Sequence, residues 1–108
     1  MTTYKVLDKN GKKIFTDITL HPGELLGEEI LLREIKQKDF AKEIDLLPPH
    51  LNDLLKGKRH VSARIALKLE SALGIDADYW LRLQMSYDLA MARKDMKQEM
   101  EKLKPLSQ

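Results

Sequence analysis

The sequence predicts a mainly α-helical domain of five helices, preceded by a short N-terminal β-hairpin. Three observations predict it. From residue 21 onward, apolar residues recur at spacings of three and four, as on the buried face of a helix. Capping residues and glycines separate these runs, and an Asn-Gly pair lies within an alternating N-terminal stretch. The 108 residues are enough for one ordinary domain.

Residues 1–18 are predicted to form a hairpin arm. Asn10-Gly11 suits a two-residue type I′ turn, because both central positions of that turn require positive φ. The turn would set Leu7 opposite Ile14, with opposite charges and apolar groups facing each other along the two strands. A lone two-stranded ribbon is marginal in water, so the arm must pack on the domain or on a partner.

Capping chemistry sets the limits of the next four helices. A proline suits a first helical turn, where its missing donor is no loss, and a Ser side chain caps an N-terminus. Gly57 and Gly74 lie where a glycine follows a helix, and Asp45-Leu46-Leu47 turns the chain after the second helix. The expected ranges are about 22–35, 37–44, 48–56 and, after Ser62, 63–73.

The fifth helix is predicted to run unbroken from Ala77 to about Leu103, roughly 40 Å, with Asp76 as its N-cap. One apolar stripe on it begins at Trp80 and packs on the domain. A single small domain can hardly cover a second stripe over that length, so we predict that the second stripe forms a homodimer interface. Its members are Leu81, Met85, Leu89, Ala92 and Met96. The alternative is a helix that ends near Lys94, followed by a disordered tail.

Composition excludes several classes of protein. The chain has no cysteine, which excludes disulfide scaffolds, thiolate metal sites and cysteine nucleophiles. Its apolar runs are far shorter than the roughly 20 residues of a membrane span, and no signal-peptide pattern is visible, so we expect a soluble cytoplasmic protein. The net charge of +2 is too near neutral to indicate a nucleic-acid partner. The compact basic cluster consists of Lys56, Lys58, Arg59 and His60.

An enzymatic role is not expected. The three histidines form no i, i+4 pair, and neither a nucleophile motif nor a glycine-rich phosphate loop is present. We therefore expect no metal and no cofactor, and we expect His21 to cap or orient the first helix.

Residues 37–59 match a helix-turn-helix. Ala41 supplies the small residue that such a motif needs where its two helices touch. The apolar positions that would lock the helices together are Phe40, Ile44, Leu46, Leu51 and Leu54. Two unrelated short amphipathic helices would give similar spacings, so the motif needs support from the residues around it.

That support comes from an ordered set of motifs: His21-Pro22-Gly23-Glu24, Phe40-Ala41, Gly57-Lys58-Arg59, Ser62-Ala63, Ala66-Leu67, Tyr79-Trp80-Leu81, Leu83-Gln84 and Tyr87-Asp88. Over about residues 19–94 the chain resembles the HigA-type antitoxins, helix-turn-helix proteins of the XRE class in bacterial toxin–antitoxin modules. The resemblance implies a lambda-repressor-like five-helix bundle with its motif at 37–56, between the 1–18 arm and a C-terminal helix extension or tail at 95–108.

The resemblance also implies two activities. Such antitoxins dimerise on operator DNA to repress their own operon, and they neutralise a RelE/HigB-like toxin that cleaves mRNA on the ribosome. Gln37 matches the family position where the first motif helix meets phosphate, the lysines and Arg59 would hold the backbone, and His50 and Asn52 are the candidate base readers. The expected DNA-binding residues are Gln37, Lys38, Pro49, His50, Asn52, Lys56, Lys58 and Arg59.

Some positions depart from the family pattern. Asp45 replaces the turn glycine, and because Asp tolerates the left-handed conformation better than most residues, we expect the turn to survive. Leu47 stands where Ser or Thr usually caps the recognition helix, a cap worth about 1 kcal/mol. Pro48-Pro49 begins that helix without backbone amides for phosphate, and Asp53 would face an anionic groove unless it accepts from a cytosine amino group. Two alternatives therefore stay open: a toxin-binding module that has lost DNA binding, and a stand-alone transcriptional regulator.

We expect the toxin to bind this chain on the hairpin together with the first helix.

Overall fold

The computed structural model describes residues 6–7, 13–14 and 20–106. The described residues form a mainly α-helical fold around a helix-turn-helix, with six helices between residues 20 and 106. In chain order they are α1 (Pro22–Leu32), α2 (Gln37–Glu43), α3 (Pro48–Leu55), α4 (Ala63–Leu73), α5 (Ala77–Asp95) and α6 (Lys97–Lys102). None of these helices is long and apolar enough to cross a membrane.

Two short strands, β1 (Val6–Leu7) and β2 (Lys13–Ile14), pair in antiparallel fashion near the N-terminus. The predicted register is wrong by one residue, because Leu7 pairs with Lys13 and Val6 with Ile14. This register leaves an odd number of residues between paired positions, whereas a two-residue turn requires an even number. The Asn10-Gly11 turn lies outside the described residues, so a complete hairpin arm stays a prediction.

Helices α1, α2 and α3 each end in a left-handed residue: Glu34 (φ 55°), Asp45 (φ 53°) and Gly57 (φ 76°). In each case the next amide reaches back five residues, as where Leu46 N donates to Ala41 O at 2.8 Å. The equivalent bonds run from Ile35 N to Ile30 O and from Lys58 N to Asp53 O. The left-handed turn predicted at Asp45 is thus confirmed, and Glu34 ends α1 at Leu32, short of the predicted Ile35.

Helices α1, α2, α3, α4 and α5 all contribute to one core around the large, fully buried side chains of Trp80 and Phe40. The indole nitrogen of Trp80 donates to Ile75 O at 3.2 Å, which satisfies its polar atom inside the core. The apolar contact between the two motif helices forms as predicted: Phe40, Ala41, Ile44, Leu51 and Leu54 are buried, and Leu46 packs against them. This contact fixes α3 against α2.

The predicted caps of α4 are confirmed, and that of α5 is not. Ser62 Oγ accepts from Ile65 N at 3.2 Å, and the left-handed Gly74 ends α4. Asp76 occupies the N-cap position of α5, but within the described residues its side chain makes no capping hydrogen bond. Glu70 Oε1 instead accepts from Ala77 N at 2.7 Å, so a carboxylate from α4 caps the next helix.

The unbroken fifth helix is also a wrong prediction. The 19-residue α5 ends at Asp95, and Met96 (φ −101°, ψ 11°) separates it from the six-residue α6. Described residues from Ala92 to Leu106 are all exposed. Because these side chains are exposed, continuity of the helix there depends largely on local propensity, which is a weak force over so short a length.

Candidate nucleic-acid interface

The outward face of α3 presents an apolar first turn followed by polar and basic residues. At about 100° per residue, Pro49, Asn52, Asp53 and Lys56 lie opposite the buried Leu51 and Leu54. Pro49 and Lys56 are exposed, and Asn52 and Asp53 are half-buried. The structure therefore brings three of the predicted DNA-binding residues onto one face, together with Asp53.

The remaining predicted DNA-binding residues lie around that face. The half-buried His50 lies on the flank of α3 instead of the centre of its outward face, which makes it a poorer candidate for base contact than Asn52. Gln37 and Lys38 are exposed in the first turn of α2. Lys58 and Arg59 are exposed in the loop that follows α3.

This loop, residues 57–62, is held at both ends and is called the basic loop below. At its start, Gly57 adopts the left-handed conformation, and Lys58 N donates to Asp53 O at 2.8 Å. At its end, the buried Val61 donates its amide to Gln84 Oε1 on α5 at 2.6 Å. Cationic side chains on a loop fixed in this way lose less entropy when they bind phosphate.

Sequence reasoning missed the part played by Gln84. It is 5% exposed, and its amide nitrogen donates to Asp88 Oδ1 at 2.9 Å. Asp88 Oδ2 lies 3.5 Å from His60 Nδ1, so the Gln84 and Asp88 side chains together connect α5 to the basic loop. The Leu83-Gln84 and Tyr87-Asp88 motifs contain both residues, but the sequence pattern does not indicate which residues they contact.

His21 caps α1, as predicted. Its Nδ1 accepts from Gly23 N at 2.9 Å, and its own amide donates to Glu24 Oε2 at 3.2 Å. The residue is 3% exposed, and its ring meets the Tyr87 ring edge-on, with the centroids 4.8 Å apart. It also lies against Gly57, where an added Cβ would be 3.5 Å from the His21 Cγ. One imidazole thus joins α1, α5 and the start of the basic loop.

Burial lowers the pKa of His21 below its usual 6.5, and the nearby His60 lowers it further. Asp88, Glu24 and a hydrogen bond with the Arg59 backbone act in the opposite direction. Because Nδ1 accepts the Gly23 amide, the neutral tautomer carries its proton on Nε2. A second proton would have to displace the capping bond, which also favours the neutral ring.

The second stripe of α5 is solvent-exposed beyond its first residue. Leu81 packs partly against the core, whereas Met85 is 56% and Leu89 44% exposed. Ala92 and Met96 are exposed as well. The first stripe differs, since Trp80 and Leu83 on it are buried in the domain. The two faces of α5 therefore separate as predicted, one in the core and one in solvent.

No cluster of three or more histidine and carboxylate side chains suited to a metal ion occurs in residues 6–7, 13–14 or 20–106.

Comparison with known proteins matches this architecture to one family and its relatives. The family model HTH_3, described as Helix-turn-helix, matches residues 26–80. Among curated proteins, Virulence-associated protein I of Dichelobacter nodosus is 38% identical over 89 residues, covering 82% of each chain.

Two solved structures show the same fold with related sequences. An addiction module antidote protein of a HigA family from Coxiella burnetii is 32% identical with a TM-score of 0.75, over 81% of this chain and 97% of that one. The Pseudomonas aeruginosa antitoxin HigA with the higBA promoter is 28% identical with a TM-score of 0.78, over 82% and 99% of the two chains.

Proposed function

The chain belongs to the Helix-turn-helix family and, within it, to the HigA-type antitoxins, and from that membership we propose that it is the antitoxin of a type II toxin–antitoxin system. In this proposal a homodimer binds operator DNA and represses its own operon. The same chain binds and neutralises a RelE/HigB-like mRNA-cleaving toxin. No catalytic chemistry is part of the proposal.

The observation that carries the DNA-binding half is the position of the fixed basic loop at the C-terminal end of α3. Lys56, Lys58 and Arg59 are exposed there, beside a helix that is packed rigidly on α2. Phosphate contacts give most of the affinity of such proteins, and the polar residues of the recognition helix give the specificity. The relative from Pseudomonas aeruginosa was solved with a promoter, which supports DNA binding by this chain.

The test is fluorescence anisotropy with DNA from upstream of the chain's own gene, over a series of salt concentrations. We expect specific binding that weakens steeply with salt, and a shallower slope for Lys58→Ala/Arg59→Ala, because fewer counterions are released. Lys102→Ala/Lys104→Ala is the matched control, since it removes the same charge from exposed residues far along the chain. Equal slopes for the two variants would contradict the assignment of the basic loop.

The exposed stripe of α5 supports the dimer. Leu81, Met85, Leu89, Ala92 and Met96 form the proposed interface, and pairing with a second copy would remove the exposed methionine and leucine surface from water. Such a dimer places two recognition helices about 34 Å apart on a palindromic site.

Sedimentation tests the dimer directly. We expect Met85→Asp/Leu89→Asp to be monomeric at micromolar concentration, because carboxylates would be buried without partners. Lys94→Asp, on the opposite side of α5, is the control and should remain dimeric. A Met85→Asp/Leu89→Asp protein that still dimerises would refute this interface.

The last turn of α1 supports the proposed toxin surface. Leu31 and Leu32 are 76% and 75% exposed, which is unusual for two adjacent leucines. We expect a chain lacking residues 1–18, or one carrying Leu31→Asp/Leu32→Asp, to repress normally but neutralise the toxin poorly. Full neutralisation by both variants would move the toxin site elsewhere.

A second candidate function is a toxin-holding module without DNA binding. The outward Asp53 and the Pro48-Pro49 start of α3 favour it, because neither suits phosphate. Binding that is weak and indifferent to sequence in the anisotropy experiment would support it. A stand-alone regulator remains the third candidate, and a toxin gene beside this one would argue against it.

A further inference from the structure

We propose that the first turn of α3 recognises the 5-methyl groups of thymine, so that Pro49 sets which operators the chain accepts. This inference rests on the proposed DNA binding and adds the chemistry of the base that is read. The residues concerned lie at the N-terminal end of α3, before the polar residues Asn52 and Asp53 of its outward face.

The apolar surface lies where a recognition helix approaches base edges most closely. In helix-turn-helix proteins the N-terminal residues of that helix contact the bases. Here those residues are Leu47, Pro48 and Pro49; all three are exposed, Leu47 by 63%. Pro49 also lies near the centre of the outward face, opposite Leu51 and Leu54.

The chemistry of these three residues excludes hydrogen-bonded recognition by their side chains. Leucine and proline side chains carry no donor or acceptor, and the two prolines also lack the backbone N–H. Within the described residues the Leu47 side chain likewise makes no capping bond to α3. Pro48 and Pro49 therefore present an apolar surface in place of amides.

The major groove of DNA offers one matching apolar group. Each base pair presents donors and acceptors there, and only thymine adds a C5-methyl that apolar side chains contact. A cytosine or a purine at the same position would leave polar base atoms against proline without a partner, which costs free energy. Thymine is thus the base that this surface fits.

The surrounding charges favour DNA over a protein as the occupant. Lys56 is exposed on the same face of α3, and Lys58 and Arg59 follow directly in the basic loop. An apolar surface that continues into a cationic one matches a groove whose bases are bordered by phosphates. The apolar turn is therefore continuous with the proposed DNA interface.

The polar part of the face lies one turn away. Asp53 follows Pro49 by four residues, about 6 Å along the helix, or the rise of about two base pairs. We therefore expect thymine to lie within about two base pairs of the position that Asn52 or Asp53 reads in each half-site.

The experiment replaces thymine by deoxyuridine, which removes only the methyl group. A site is first selected from random DNA with the full-length protein, and each thymine in both half-sites is then replaced in turn. Loss of one buried methyl corresponds to about a fourfold weaker affinity, and loss from both half-sites to about fifteenfold. We expect this effect at one symmetric pair of positions, with 5-methylcytosine partly restoring binding where cytosine has replaced thymine.

Two variants assign the effect to the residue. Pro49→Ser should bind the thymine and deoxyuridine sites almost equally, whereas Pro48→Ser, one residue earlier on the flank of α3, should keep the discrimination. Circular dichroism of both variants checks that they fold. No selective binding to any DNA would overturn the proposed function itself. Selective binding without a deoxyuridine effect, or an effect that persists unchanged in Pro49→Ser, would overturn only the reading of thymine.

Discussion

Replacement of Gly23 by alanine should destabilise the protein strongly, because α1 begins directly against the end of α3. A Cβ at Gly23 would overlap the backbone carbonyl oxygen of Leu54, and a backbone atom at a helix end has little room to move. The Gly23 amide also donates to His21 Nδ1, so a shift of α1 would break that cap.

The expected magnitude follows from these two contacts. Overpacking in a well-packed core costs about 1–3 kcal/mol, and the lost hydrogen bond adds about 1 kcal/mol. A total of about 2–4 kcal/mol is a large part of the roughly 5–15 kcal/mol by which such domains are stable. For a domain of this size it corresponds to a fall in Tm of at least about 10 °C.

Gly27 provides a matched control on the same helix. A Cβ there would meet Leu55 Cδ2 at 3.8 Å, an ordinary van der Waals distance. Gly27→Ala should therefore raise stability by about 0.5–1 kcal/mol, the usual gain from alanine within a helix. Urea unfolding followed by circular dichroism compares the two variants, and a Gly23→Ala protein as stable as Gly27→Ala would refute the close approach of α1 to α3.

Three further predictions concern hydrogen bonds seen in the structure. Because the folded pKa of His21 lies below its unfolded value near 6.5, its contribution to stability is complete above pH 6.5 and is lost as the pH falls through the folded pKa. Urea titrations should show a slope of up to about 1.4 kcal/mol per pH unit in that range, and a slope unchanged in His21→Gln would reject this assignment. Gln84→Leu should cost about 1–3 kcal/mol in the same assay, because the buried Val61 amide loses its acceptor; a neutral result would mean that water replaces it. Glu70→Ala should lower Tm more than Asp76→Ala does, because of these two side chains only that of Glu70 caps α5. A larger fall for Asp76→Ala would support the cap predicted from the sequence.

Local chemistry made much of this fold predictable. Ser62 and Gly74 act on residues within four positions, so their sequence pattern determines where α4 begins and ends. The cap from Glu70 and the bond from Gln84 to the basic loop could not be predicted in this way. They join residues 7 and 23 positions apart, and only the packing of α4, α5 and the loop brings them together.

The same distinction applies to the candidate site. The exposure of the lysines around α3 follows from their position opposite the apolar residues of that helix. The flanking position of His50, which makes it a poorer base reader than the sequence analysis predicts, follows from the same geometry. The break at Met96 has no sequence signal, because it occurs without a helix-breaking residue, in a stretch whose side chains the structure leaves exposed.

The way α3 is closed has an evolutionary consequence. Its C-terminus is held by bonds between backbone atoms, from the amides of Gly57 and Lys58 to the carbonyls of Leu54 and Asp53. Such bonds form whatever side chains the helix carries outward, so residues such as Asn52 can mutate without loosening the scaffold. A duplicated gene could thus acquire a new operator through a few surface substitutions while its ancestor keeps the old one. The two copies would then regulate separate operons without interfering with each other.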